Sequence, residues 1–199
     1  MAETGSGEDQ FFERRALVAE ILRDRSQELL VVTGLGSPTY DVAAAGDDPR
    51  NFYLWGAMGS AATVGLGLAL ARPQARVLVI TGDGELLMAV GALATIGVAR
   101  PSNLAIAVLD NRAYGETGGQ ASHTAAGVDL AAIARASGFA RAENLDATHG
   151  AAPVRSLLHE TPGPVLAVCS IRSGENPRVM PSRDGHYLRA RFRAAINAA

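Results

Sequence analysis

Short apolar runs alternate with stretches of helical pattern along most of this chain. Leu29–Val32 and residues 75–81, 103–109 and 164–170 are rich in Val, Leu, Ile and Ala, which is how strands buried on both faces of a sheet read. Phe52–Trp55 and Phe139–Arg141 are shorter strand candidates. A helix is expected over 10–25, where Phe12, Ala16, Ala19, Ile21 and Leu22 fall near one face. Further helices are expected at 39–45, 60–71, 85–99, 128–137 and 146–160, the second of them stopped by Arg72-Pro73. Gly65 and Gly67 lie inside 60–71, where each costs about 1 kcal/mol relative to alanine. Close packing against a sheet, a ligand or a partner is the expected reason. Strands alternating with helices predict a doubly wound α/β fold, with a mostly parallel sheet and helices on both faces. Residues 1–9 read as a flexible tail, 10–175 as one domain, and 176–199 as a C-terminal arm or helix suited to docking a partner. The polar stretch 110–127 is longer than most connections in such a fold, and long loops in compact domains are often functional.

Composition narrows the chemistry. The chain has 199 residues and a net charge of −2, so no polyanion-binding field is expected and nucleic acid is a poor partner. All eighteen basic residues are arginine. The absence of lysine excludes a Schiff-base lysine and a Walker-type phosphate lysine. The single cysteine, Cys169, lies in an apolar run and reads as a buried, inert thiol. The first fifteen residues are polar and acidic, and no apolar run reaches eighteen residues. The expectation is a soluble cytoplasmic protein with no membrane segment.

The richest signal is Gly82-Asp83-Gly84 after the run 75–81, followed by Asp110-Asn111-Arg112-Ala113-Tyr114 after the run 103–109. Alone, Gly-Asp-Gly is ordinary turn chemistry. The twenty-five residues between, 85–109, are the length of one helix plus one strand. Neighbouring parallel strands would therefore bring Asp83 and Asn111 out together at the carboxyl edge of the sheet, where open α/β sheets bind ligands. A carboxylate and an amide oxygen are hard ligands, and a Mg²⁺ ion held by few protein groups completes its shell with phosphate oxygens. The turn Gly34-Leu35-Gly36-Ser37 follows another strand, and Trp55-Gly56-Ala57-Met58-Gly59 precedes a helix. Glu85 opens the helix after the second glycine of the motif, ordinary placement for an acid at a positive helix end.

These motifs resemble the diphosphate-binding domain of thiamine diphosphate-dependent enzymes, whose signature is GDG followed after such an interval by an NN-type pair. Here the pair is Asp110-Asn111, which departs at its first position only. The resemblance covers about residues 10–193. It implies that Asp83, the Asn111 side chain and the Ala113 backbone carbonyl hold Mg²⁺. It further implies cofactor contacts from Gly36, Ser37, Gly82, Gly84, Glu85, Tyr114 and Thr117. Met58 matches the apolar wedge that bends the cofactor, and the Gly56 carbonyl and Met58 amide match groups that bond its pyrimidine edge. The segment Tyr114-Gly115-Glu116-Thr117-Gly118-Gly119-Gln120 is similar to the sulfopyruvate and phosphonopyruvate decarboxylase branch. Gln120 and His123 are the candidates for substrate contact. His149, His159 and His186 have no partner pattern and are expected at the surface.

The family also uses a second domain that holds the pyrimidine and supplies a glutamate, and nothing in this sequence matches it. The resemblance therefore implies a β subunit that is active only with a pyrimidine-binding α subunit, in an α2β2 or larger heteromer. It would use thiamine diphosphate and Mg²⁺ to decarboxylate an anionic 2-oxo acid such as sulfopyruvate or phosphonopyruvate. The alternatives are a carboligase of acetolactate synthase type and a non-catalytic regulatory module on the same fold. A nicotinamide or flavin binder is disfavoured, because no Gly-x-Gly-x-x-Gly follows the first strand. The six arginines between Arg172 and Arg193 read as a solvated tail and helix, or as a docking arm.

Overall fold

A computed structural model describes residues 7–197, so most of the expected 1–9 tail lies outside the described residues. In chain order the elements are α1 (Arg14–Leu22), β1 (Leu29–Thr33), α2 (Ser37–Ala44), β2 (Asn51–Tyr53), α3 (Ala61–Ala71), β3 (Arg76–Gly82), α4 (Asp83–Met88) and α5 (Ala92–Ala99). They continue with β4 (Leu104–Asp110), β5 (Ala113–Tyr114), β6 (Gln120–Ala121), α6 (Leu130–Ala136), β7 (Arg141–Leu145), α7 (Ala151–His159), β8 (Val165–Ser170) and α8 (Gly185–Asn197). Six strands form one sheet in the order β2-β1-β3-β4-β8-β7, every pair parallel. The doubly wound fold expected from the alternating pattern is the fold observed.

Side chains alternate across the sheet, so each strand feeds two cores. Val31, Leu78, Ile80, Ala105 and Ala107 pack with α1, α2 and α7 on one face. Val32, Val77, Val79, Ile106 and Val108 pack with α3, α5 and α6 on the other. This two-sided burial explains why β1, β3 and β4 read as continuous apolar runs. Gly65 supports the close-packing expectation: a Cβ there would lie 2.3 Å from a Val79 methyl. Gly67 faces open space, and no contact accounts for it.

Several expectations need correction. The first helix is shorter than 10–25, because Glu13 caps it by accepting hydrogen bonds from the Arg15 and Ala16 amides at 3.1 and 2.6 Å. The single helix expected over 85–99 is two, α4 and α5, broken across Ala89–Gly91. The last edge strand is Arg141–Leu145 rather than 139–141, since only its Ala142 and Leu145 are buried. The loop 110–127 contains a two-stranded antiparallel hairpin, β5 against β6. His159 is half-buried rather than freely exposed: burial lowers its pKa, and its Nε2 lies 2.8 Å from the Ile21 carbonyl oxygen, whereas His149 and His186 are exposed as expected. Cys169 is fully buried, and burial pushes its thiol up to about 12. No helix among the described residues is long and apolar enough to cross a membrane.

Candidate active site

The β3–β4 register decides which residues meet at the carboxyl edge. Ile80 pairs with Ala107 and Gly82 with Leu109, so Asp83 comes level with Asp110, and Asn111 follows one step beyond. A cleft opens here, lined by Asp83, Gly84, Asn111, Ala113, Tyr114 and Thr117 on one side. Leu35, Ser37, Met58 and Arg14 line the other. Residues from the exits of β1, β3 and β4 and from the loop after β2 thus converge on one space, as expected at the edge of a doubly wound sheet.

Asp83 is 1% exposed. Its Oδ2 accepts hydrogen bonds from the Ser122 hydroxyl at 2.5 Å and the Thr124 hydroxyl at 3.2 Å. Burial raises its pKa, and the nearby Asp110 carboxylate adds to the rise, while the Ser122, Thr124 and Gly84 hydrogen bonds oppose it. A bound cation reverses that balance, because it stabilises the ionised form. Asp110 accepts from Thr124 Oγ1 at 2.8 Å and from the Arg112 amide at 2.9 Å through the same oxygen, Oδ1. Asn111 Oδ1 accepts from the Ala113 amide at 3.0 Å, which leaves one lone pair on that oxygen. In the hairpin the Ser122 amide bonds the Arg112 carbonyl, and Ala113 faces Ala121. Alternation makes Ala113 a position without ladder bonds, so its carbonyl is not engaged in the hairpin.

This donor set fits a hard cation with a phosphate co-ligand. Among the described residues no three His, Cys, Asp or Glu side chains come together to hold a metal. With Glu85 tied back to Thr81, the cleft offers the Asp83 carboxylate, one amide oxygen and one carbonyl, the sparse oxygen set that suits Mg²⁺ bound to phosphates. Ser37 opens α2, where Pro38 carries no N–H and the Ser37 and Thr39 amides lack intrahelical partners and suit an anion. Tyr114 lies flat against the motif: a Cβ on Gly84 would meet its ring at 2.6 Å, so any side chain at position 84 displaces it.

Of the other expected residues, some border the cleft and some lie outside it. Glu85 turns back under the sheet edge at 5% exposure, accepting from the Thr81 hydroxyl at 3.0 Å. Burial raises its pKa, opposed by the Thr81 hydroxyl and by the amides of Gly59, Leu35 and Ala61, although its Oε1 completes no hydrogen bond. Although Glu85 contributes to the wall of the cleft, its contacts tie the loop carrying Met58 to the exits of β1 and β3. Gly56 is exposed, and Gly36 is buried beside Ser37. Gln120 is exposed and bonds the Thr117 carbonyl within its own loop at 3.0 Å. His123 is exposed, with Nδ1 3.5 Å from the Tyr114 hydroxyl. Neither lines the cleft. Sequence reasoning missed three participants. Ser122 and Thr124 sit in a polar loop where a hydroxyl is unremarkable, and Arg14 reaches the cleft from α1, far away in sequence.

Comparison with known proteins decides the family. Residues 36–169 match the model of the thiamine pyrophosphate enzyme, C-terminal TPP binding domain. The chain belongs to this family. It is 37% identical over 182 residues to a phosphonopyruvate decarboxylase of Streptomyces viridochromogenes, covering 89% of this chain and 45% of that protein. It is 39% identical over 123 residues to sulfopyruvate decarboxylase subunit beta of Methanocaldococcus jannaschii, covering 62% of this chain and 65% of that subunit. The chain thus spans less than two thirds of either relative. A Mycobacterium smegmatis structure assigned as a thiamin diphosphate-dependent enzyme shares the fold, with a TM-score of 0.70, 20% identity, and coverage of 82% of this chain and 32% of that one. The thiamine diphosphate domain expected from the GDG and Asp-Asn motifs is therefore the family found.

Within that family Met58 has a testable consequence. It lines the cleft on a loop anchored by Trp55, whose Nε1 donates to the Ser182 carbonyl at 3.0 Å. Met58→Ala is expected to retain cofactor but lower turnover by about 100-fold, on the scale of a small misplacement of reacting groups. Steady-state kinetics beside calorimetric cofactor titration checks this; equal losses in affinity and turnover would contradict an orienting role.

Proposed function

We propose that this chain is the diphosphate-binding half of a thiamine diphosphate- and Mg²⁺-dependent decarboxylase acting on an anionic 2-oxo acid of the sulfopyruvate or phosphonopyruvate kind. The observation that carries the proposal is the convergence of Asp83, Asn111 and Ala113 with Ser37 and Met58 on one cleft. The similarity to decarboxylases of both substrates supports it. Asp83, Asn111 and the Ala113 carbonyl would hold the cation, and Ser37 with the first amides of α2 would hold phosphate oxygens. Met58 would set the bent shape of the bound cofactor. Bound there, the thiazolium supplies the electron sink for loss of carbon dioxide. The cleft is open, so the pyrimidine and its glutamate would come from an α-type partner in a heteromer, with the assembly resident in the cytoplasm. The C-terminal segment 176–199 would serve that docking.

The test is carbon dioxide release from a panel of 2-oxo acids, with Mg²⁺ and thiamine diphosphate, for the chain alone and with its partner. Activity is expected only with the partner. Full activity of the chain alone would sink the split-site proposal, and no cofactor binding in either sample would sink the assignment of this cleft.

A further inference from the structure

The loop after the hairpin returns two hydroxyls to the metal motif. Ser122 is buried at 3% exposure and Thr124 is half-buried. Their oxygens are 2.8 Å apart and stand between two carboxylates that the register brings level. The Ser122 hydroxyl donates to Asp83 Oδ2, and the shorter of the two Thr124 contacts runs to Asp110 Oδ1. Two hydroxyl protons thus meet one oxygen of each acid. Among the described residues no other side chain hydrogen-bonds either carboxylate.

We infer that Ser122 and Thr124 are positioning residues for the cation. Ser122 engages Asp83 Oδ2 and Thr124 engages Asp110 Oδ1, which leaves Asp83 Oδ1 as the oxygen presented to the cation. This rests on the proposed cation site. Without the two donors, only the Gly84 amide still restrains the Asp83 carboxylate, and two like charges face each other directly across the β3–β4 exit. Thr124 also accommodates Asp110, the position at which this chain departs from the usual asparagine. The long loop is therefore a strut: its hairpin carries Ala113, and the turn after it fixes Asp83. Partners that orient a metal ligand typically change metal affinity by about 10- to 100-fold when removed.

The experiment uses Ser122→Ala, Thr124→Val and Thr124→Ser in the intact chain, purified with any partner it needs to bind cofactor. Mg²⁺ is titrated at fixed thiamine diphosphate, and the fluorescence of Trp55, the single tryptophan, reports cofactor binding. Half-saturating Mg²⁺ is expected to rise about 10- to 100-fold in Ser122→Ala and Thr124→Val. Thr124→Ser, which restores the hydroxyl, should stay near wild type, and all forms should bind cofactor equally well at saturating Mg²⁺. A purely structural role would instead weaken cofactor binding at every Mg²⁺ level, and that result overturns the inference. So does an unchanged Mg²⁺ requirement in both hydroxyl-free variants with unaltered melting. If wild-type binding is independent of divalent cations, the cofactor site itself is wrong and the clamp falls with it.

Discussion

Asp83→Ala is expected to abolish Mg²⁺-dependent binding of thiamine diphosphate and to reduce decarboxylation by about 1000-fold or more, since a positioned cation is worth several kcal/mol. Asp83 is the buried carboxylate beside Asn111 and Ala113, which contribute neutral oxygens, whereas Glu85 is tied back to Thr81. Losing it leaves Mg²⁺ without a protein anion. Fold stability should move the other way. Burial raises the Asp83 pKa, so its contribution to stability is complete below the ordinary carboxylate pKa and is lost as pH rises through the raised value. Above that raised value the ionised, metal-free carboxylate costs stability, and there the alanine variant without cofactor should melt no lower than wild type. The wild type should gain relative to the variant on acidification toward the carboxylate range. Added Mg²⁺ with cofactor should stabilise the wild type alone. Thermal melts at two pH values, with and without Mg²⁺ and cofactor, check all three; an alanine variant stabilised by Mg²⁺ and cofactor like wild type would refute the metal role.

The juxtaposition of Asp83 with Asp110 and Asn111 was legible because its parts lie where local rules hold. β3 and β4 are buried on both faces, so their apolar runs stand out, and the interval between them, filled by α4 and α5, is long enough for the crossover that parallel neighbours need. Parallel neighbours then bring Asp83 and Asn111 out at one edge. What the sequence did not disclose depends on contacts between distant segments. The break between α4 and α5 falls where the Met58 loop packs on Met88 and Ala89, and no periodicity carries that contact. Strand β7 is an exposed edge with polar residues at three of five positions, so its pattern is faint. The hairpin has only two residues per strand, too few for alternation to show. Glu85 obeys the local rule for a first-turn acid, yet it folds back onto Thr81 and the amides of two other loops. Gln120 and His123 stand out in the sequence because the loop around them is polar and its Tyr114–Gln120 segment resembles the sulfopyruvate and phosphonopyruvate decarboxylase branch. The fold directs Ser122 and Thr124 inward instead and leaves those two exposed.

Asp41→Ala is expected to be the most destabilising single change on the other side of the cleft. Asp41 on α2 is completely buried and accepts from two arginines of α1: Arg14 Nε at 2.5 Å and Arg15 Nε at 3.0 Å. The same arginines reach the segment after β8, through Arg14 to the Gly174 carbonyl at 3.3 Å and Arg15 to the Pro177 carbonyl at 2.7 Å. One carboxylate therefore holds α1, α2 and the 173–177 segment together, and it fixes Arg14 at the cleft. Removing one partner of a buried ion pair costs about 3–5 kcal/mol, because the remaining charge loses its compensation. For a chain of 199 residues, each kcal/mol shifts the melting temperature by about 2–4 °C, which places the loss on the order of 10 °C. Arg14 is 6% exposed and Arg15 has more access to solvent, so most of the penalty belongs to Arg14. The double variant Asp41→Leu with Arg14→Met should recover much of the stability, since an apolar replacement of both partners is often neutral. It should not recover phosphate affinity if Arg14 contacts the cofactor through the cleft. Circular dichroism melts and cofactor titrations separate the two effects. A single variant that melts like wild type would show that the α1–α2 tie contributes little, and that hydrophobic packing of Leu17, Val18 and Ile21 against α2 and α7 holds this face.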